Sequence, residues 1–155
     1  MQTNTDSIPL IFPAFEYKLT QKEGKLFIFD AIAKKFRSLS PEEWVRQHFI
    51  QFLINQKKYP KAFFAIEKGL TLHERNKRTD IVVYNADTKP LLIVECKAPS
   101  VNIDQAVFEQ IIRYNYVHQA KYLVLSNGLT HFCCAVDYET NQFNFISEIP
   151  EYQAI

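Results

Sequence analysis

The stretch Leu91-Leu92-Ile93-Val94 is an apolar run of the kind that threads a hydrophobic interior, yet it ends in Glu95, one spacer (Cys96) and Lys97. Desolvating each charge is costly, so a strand that finishes this way calls for a compensating partner or a task. A second apolar run, Ile81-Val82-Val83, opens with Asp80, and the intervening "NADTKP" carries the Asn, Asp and Pro of a turn. Paired as a hairpin, the two runs bring Asp80, Glu95 and Lys97 to the end away from the turn. The i, i+2 relation puts Glu95 and Lys97 on one face of the sheet. Two carboxylates that close repel unless a cation sits between them, and oxygen ligands of this kind suit Mg²⁺. Lys97 beside such an ion would orient or deprotonate a water, or stabilise charge developing on a phosphate.

The elements that must position these groups follow from periodicity. Helical spacing over about 103–118 aligns Ile103, Val107, Gln110, Ile111 and Tyr114, so Gln110 is expected to face the core and to seek hydrogen-bond partners at the charged strand ends. Tyr114 stands one turn further along, where core packing is its plainest role. An earlier helix opens at Ser40, with Pro41 at the first helical position and Glu43 placed to close a capping box. Its stripe of Val45, Phe49, Phe52 and Leu53 carries it to about Lys57. Strands are expected in "AFFAIEKGLTL", "RTDIVVYNA", "PLLIVECKA", "KYLVLSNG", "THFCCAVD" and "QFNFIS". Two more flank a turn at Glu23-Gly24, after an irregular arm over residues 1–15. The order of helix, three strands, helix and strand, with β-additions at both ends, predicts an α/β fold: a mixed β-sheet flanked by helices. We divide the chain into an N-terminal arm and β-hairpin (1–35) and a main body (36–155).

Composition narrows the function classes. At 155 residues the chain can bury a full core, and its 47% hydrophobic content argues against disorder. A net charge of +1 gives no global sign of nucleic-acid binding, but the charge is uneven. Residues 57–78 hold seven basic side chains, Arg75, Lys77 and Arg78 among them, against Glu67 and Glu74. Such a run serves either as a solvated face or as a phosphate-facing one. Three cysteines make neither a disulfide framework nor a CxxC spacing; Cys133 and Cys134 read as packing residues on opposite faces of one strand. No signal-peptide pattern opens the chain and no apolar run approaches the ~18 residues of a membrane span. The expectation is a cytoplasmic protein with no membrane partner.

Asp80, then Glu95-Cys96-Lys97, then "QIIRY" is the pattern of the PD-(D/E)XK nuclease superfamily. The chain most resembles the N-terminal nuclease domain of type I restriction enzyme R subunits, whose helix carries Gln-x-x-x-Tyr. The stretches "SPEEWVRQHF" and "KRTDIVVYN" strengthen the likeness, which covers about residues 36–135. Thr79 stands where the superfamily has a proline. The resemblance implies a restriction-endonuclease-like fold and a Mg²⁺-dependent DNA endonuclease, with Mn²⁺ able to substitute. It implies metal ligands in Asp80, Glu95 and the backbone carbonyl of Cys96, and catalytic roles for Asp80, Glu95, Lys97, Gln110 and Tyr114. It also implies an additional helix glutamate: Glu42, which continues the inward stripe backwards, is expected to supply it, with Glu43 kept to capping. Arg75, Lys77 and Arg78 are the expected DNA contacts. No motor domain is expected beyond Ile155, so recruitment is expected from its own surface, a dimer partner or another chain of a restriction system. The alternative is a non-catalytic nucleic-acid-binding or assembly module on the same fold. A small-molecule enzyme finds little support, because there is no glycine-rich phosphate loop and the four histidines show no metal spacing.

Overall fold

A computed structural model describes residues 10–65 and 80–152, with Asp80 described by its backbone alone. Strands β1 (Leu19–Lys22), β2 (Lys25–Asp30) and β3 (Lys35–Ser38) form an antiparallel three-stranded sheet ahead of helix α1 (Pro41–Asn55). Strands β4 (Asp80–Tyr84) and β5 (Pro90–Cys96), helix α2 (Gln105–Asn115), and strands β6 (Tyr122–Ser126), β7 (His131–Asp137) and β8 (Gln142–Ile146) follow. The second sheet runs β4-β5-β6-β7-β8, parallel only between β5 and β6, where α2 makes the crossover. Among the described residues this is a mixed α/β fold of two sheets and two α-helices, consistent with a restriction-endonuclease-like architecture.

Local chemistry explains most of these elements. The β1–β2 turn has positive φ at Glu23 (54°) and Gly24 (77°), as a two-residue hairpin of the primed type demands. In the β4–β5 connection, Asn85 Oδ1 accepts from the amides of Asp87 (2.9 Å) and Lys89 (3.0 Å) and folds the turn on itself. Ser40 Oγ accepts from the Glu43 amide at 3.0 Å to start α1, and Asp104 Oδ1 does the same for Val107 at 2.8 Å to start α2.

The helices lie on opposite faces of the five-stranded sheet. Val45, Phe49 and Leu53 of α1 pack with Ile81, Val83, Leu92, Val94, Val124 and Cys133. Phe108 and Ile112 of α2 pack with Val82, Ile93, Leu123, Leu125 and Cys134. Cys133 and Cys134 thus enter separate cores, as expected of strand neighbours, and burial pushes their thiols up to about 12 and about 11. Glu43 to Ile50 of α1 are all buried, because arm residues cover its outer side: Tyr17 stacks on Trp44 and Phe15 on His48, both edge-on. Gly128 (φ 82°) lets the arm close in, since a Cβ there would meet Leu10 at 2.8 Å and Val45 at 3.2 Å.

The fold differs from expectation in three places. β3 is a third N-terminal strand crossing the division drawn at residue 36; its short polar sequence, "KFRS", hides its pairing with β2. Lys61–Phe63 is a 3₁₀ turn where a strand was expected, and Phe64 then bridges to Val83. The rest of that expected strand lies outside the described residues. The regular part of α2 ends at Asn115, and the final turn, Tyr116–His118, is 3₁₀.

Candidate active site

Two buried polar ends meet the sheets, and each begins with a strand that delivers a carboxylate into the interior. In β5 the alternation that sends Ile93 toward α2 sends Glu95 to the same face. Asp80 and Glu95 are Cα partners across the β4–β5 pairing, so the hairpin sets both carboxylate-bearing residues at its open end. Glu95 is only 3% exposed. Its Oε2 lies 3.2 Å from Lys97 Nζ, an ion pair whose angles make no hydrogen bond, and this buried oxygen has no hydrogen-bond partner. Lys97 remains partly open to solvent. A buried carboxylate oxygen without a donor is the group that a hard cation satisfies. Among the described residues no three His, Cys, Asp or Glu side chains are grouped to hold a metal; the Asp80 side chain lies outside them.

The loops behind this end are tied together. The Lys97 amide donates to the Ser126 carbonyl at 2.8 Å, and Asn127 Nδ2 donates to the Val101 carbonyl at 2.9 Å. Asn127 Oδ1 also accepts from the amides of Leu129 and Thr130, both at 2.9 Å. Lys97 therefore leaves a strand end braced by the neighbouring β6 loop, which limits where its ammonium can go.

The other predicted residues stand further out. Cys96 is buried on the α1 face, opposite Glu95. Gln110 does not face the core; it is exposed. The buried stripe of α2 is Phe108, Ile112 and Asn115, and two residues of helix turn Gln110 about 200° away from Phe108. Tyr114 is 42% exposed, so core packing is not its role either. Both sit on the outward side of α2, the helix that covers the Glu95 face of the sheet. Glu42 is half-buried in the first turn of α1, and the glutamate that turns inward is Glu43. Its carboxylate accepts from Arg46 (3.0 Å) and Gln47 (3.1 Å) instead of reaching back to complete a capping box. Arg75, Lys77 and Arg78, together with Glu67, lie outside the described residues.

The second polar end was not anticipated. Asp30 closes β2 with its side chain fully buried, and Oδ2 accepts from Arg37 at 2.6 Å and Arg46 at 2.9 Å. Its Oδ1 accepts from the amides of Ile32 and Ala33. Burial alone would raise the carboxyl of Asp30, but the Arg46 charge and the hydrogen bonds from Arg37, Arg46 and Ala33 outweigh it and bring it to about 2. Burial raises Glu43, with the Asp30 charge adding to the shift and Arg46 opposing it. The signal was present in "FIFD", which ends an apolar strand in an acid as "IVEC" does.

A mixed, helix-flanked sheet of this topology is consistent with a restriction-endonuclease-like fold. Residues 41–150 match the family model of the Type I restriction enzyme R protein N terminus (HSDR_N), and the chain belongs to that family. The match begins at the first residue of α1. No curated protein and no solved structure matches the chain. No helix among the described residues is long and apolar enough to cross a membrane.

Proposed function

We propose that this protein is a PD-(D/E)XK nuclease that hydrolyses DNA phosphodiester bonds with Mg²⁺, or Mn²⁺ in its place, in the cytoplasm. The observation that carries the reading is Glu95 Oε2: buried, without a hydrogen bond, beside Lys97 and registered opposite Asp80. Membership in a restriction-enzyme R-protein family supports DNA as the substrate and other restriction-system chains, or a second copy, as partners.

Asp80 and Glu95 would hold the cation, with the Cys96 carbonyl as a further oxygen donor. When bound, the ion supplies positive charge against the phosphate and acidifies water. Among the described residues Lys97 is the cation paired with Glu95. Its ammonium orients the attacking water and stabilises the charge that builds on the phosphate oxygens as water adds to phosphorus and the ester P–O bond breaks. Gln110 and Tyr114 offer an amide and a phenol on the exposed flank of α2, where DNA approaching Glu95 meets them. Glu42, half-buried at the start of α1, stands outside this core set. Arg75, Lys77 and Arg78 neutralise backbone phosphates, a sequence-independent contribution that weakens with salt.

The test is cleavage of supercoiled, linear, nicked and single-stranded DNA with Mg²⁺ or Mn²⁺, comparing wild type with Glu95→Gln. Metal-dependent cleavage by the wild type alone is the expected result. No cleavage of any substrate by either protein, or equal cleavage by both, overturns the proposal.

A further inference from the structure

The two edges of the five-stranded sheet differ. Strand β4 is met on its outer side by the Phe64–Val83 bridge, whereas β8 pairs with β7 alone among the described residues. The β8 sequence, Gln142-Phe143-Asn144-Phe145-Ile146, has no lysine, no proline and no charge, the devices that usually protect an edge strand from association. Phe143 and Phe145 are cross-strand partners of Val136 and Cys134, so both point to the α2 face. There they are 38% and 50% exposed and line a groove of about 300 Å³ with Ile112, Glu109 and Arg113.

We propose that two copies of this chain join their five-stranded sheets along β8, antiparallel and about a two-fold axis at Asn144. The occupant follows from self-complementarity. Pairing centred on Asn144 sets Phe143 opposite Phe145 of the other copy, twice, and Asn144 opposite its own counterpart. Every strand residue then keeps its face, and aromatic cross-strand pairs of this kind are favourable. The groove rim carries one acid and one base, Glu109 and Arg113, four residues apart on α2. A two-fold operation reverses helix direction and presents the acid of one copy to the base of the other, so the rim is neutral and complementary to itself. A differently charged partner would not need that balance. This inference does not depend on the nuclease reading.

Sedimentation equilibrium on the chain tests it, with circular dichroism to verify folding. Wild type is expected to dimerise reversibly. Asn144 is exposed, so Asn144→Lys and Asn144→Asp leave the monomer fold unstressed, yet each places like charges face to face at the axis. Each variant alone should raise the dimer Kd at least ~10-fold, and an equimolar mixture of the two should recover association as a heterodimer. Phe145→Asp should also give a folded monomer. A wild type that stays monomeric at ~100 µM overturns the proposal. So does a dimer that both Asn144 variants leave unchanged, or a mixture no tighter than either variant alone.

Discussion

Strands β2 and β5 each run through apolar residues into a buried acid, Asp30 in one and Glu95 in the other, yet the two acids are treated oppositely. Asp30 is saturated: two arginines hold Oδ2 and two backbone amides hold Oδ1. Glu95 has one lysine at 3.2 Å and an oxygen with no hydrogen bond. A saturated buried carboxylate fastens elements together, here the N-terminal sheet to α1. A buried carboxylate left short of partners keeps binding capacity for something that arrives later. The same sequence signature, an apolar strand ending in an acid, therefore ends in a saturated acid at one end of the molecule and in an under-partnered one at the other, where the proposed function puts the chemistry.

The largest effect that sharpens this contrast is on stability. Arg46 bonds to both Asp30 and Glu43. Arg46→Ala leaves the buried carboxylates of Asp30 and Glu43 with Arg37 as their one shared arginine, and should cost about 3 kcal/mol in urea denaturation. A loss under about 1 kcal/mol would mean that the Asp30 cluster does not fasten the fold.

Next in size is Lys97→Ala, expected to lower the DNA cleavage rate by ~10²–10³-fold while divalent-metal affinity holds or rises slightly. A lysine cannot ligate the ion, and its removal takes away a like-charged neighbour. Single-turnover cleavage measured beside metal titration separates the two effects; a wild-type rate would remove Lys97 from the chemistry.

Acid titration comes third. The Asp30 carboxyl is lowered from 3.8 to about 2, so its contribution is fully present above pH 3.8 and is lost as pH falls from there toward about 2. That loss amounts to about 2 kcal/mol. Glu43 is shifted the other way, so its term acts above 4.5, where protonation relieves the folded state. The stability difference between wild type and Asp30→Asn should shrink across the lower window; a constant difference would contradict the saturated reading of Asp30.

The smallest effect is at the other acid. Glu95→Gln removes an under-partnered buried charge and should change stability by no more than about 1 kcal/mol, in either direction. A loss as large as that of Arg46→Ala would make Glu95 a structural residue like Asp30.

What was legible in the sequence was local. The Asn85 turn, the Ser40 cap, the Glu23-Gly24 hairpin and the opposite faces of Cys133 and Cys134 depend on neighbours in the chain, and each formed as read. The hairpin alone sets Asp80 in register with Glu95. What failed depended on distant partners. Glu43 turns inward because Arg37 and Arg46, both held by Asp30 of the preceding sheet, lie within reach of its carboxylate. Gln110 was misdirected because the apolar stripe of α2 is centred on Phe108 and Ile112, with Ile103, Val107 and Ile111 at its edge, and this leaves Gln110 outside it. The aromatic groove beside β8 gave no advance sign, since "QFNFIS" reads simply as an alternating strand.

The most direct test is isothermal titration of Mn²⁺ and Mg²⁺ into wild type, Glu95→Gln and Asp30→Asn. In the proposed function Glu95 takes the cation, whereas Asp30 is already satisfied by two arginines and two amides. Wild type and a folded Asp30→Asn should therefore bind alike, and Glu95→Gln should lose binding. Unchanged binding by Glu95→Gln, or no binding by the wild type, would contradict the account.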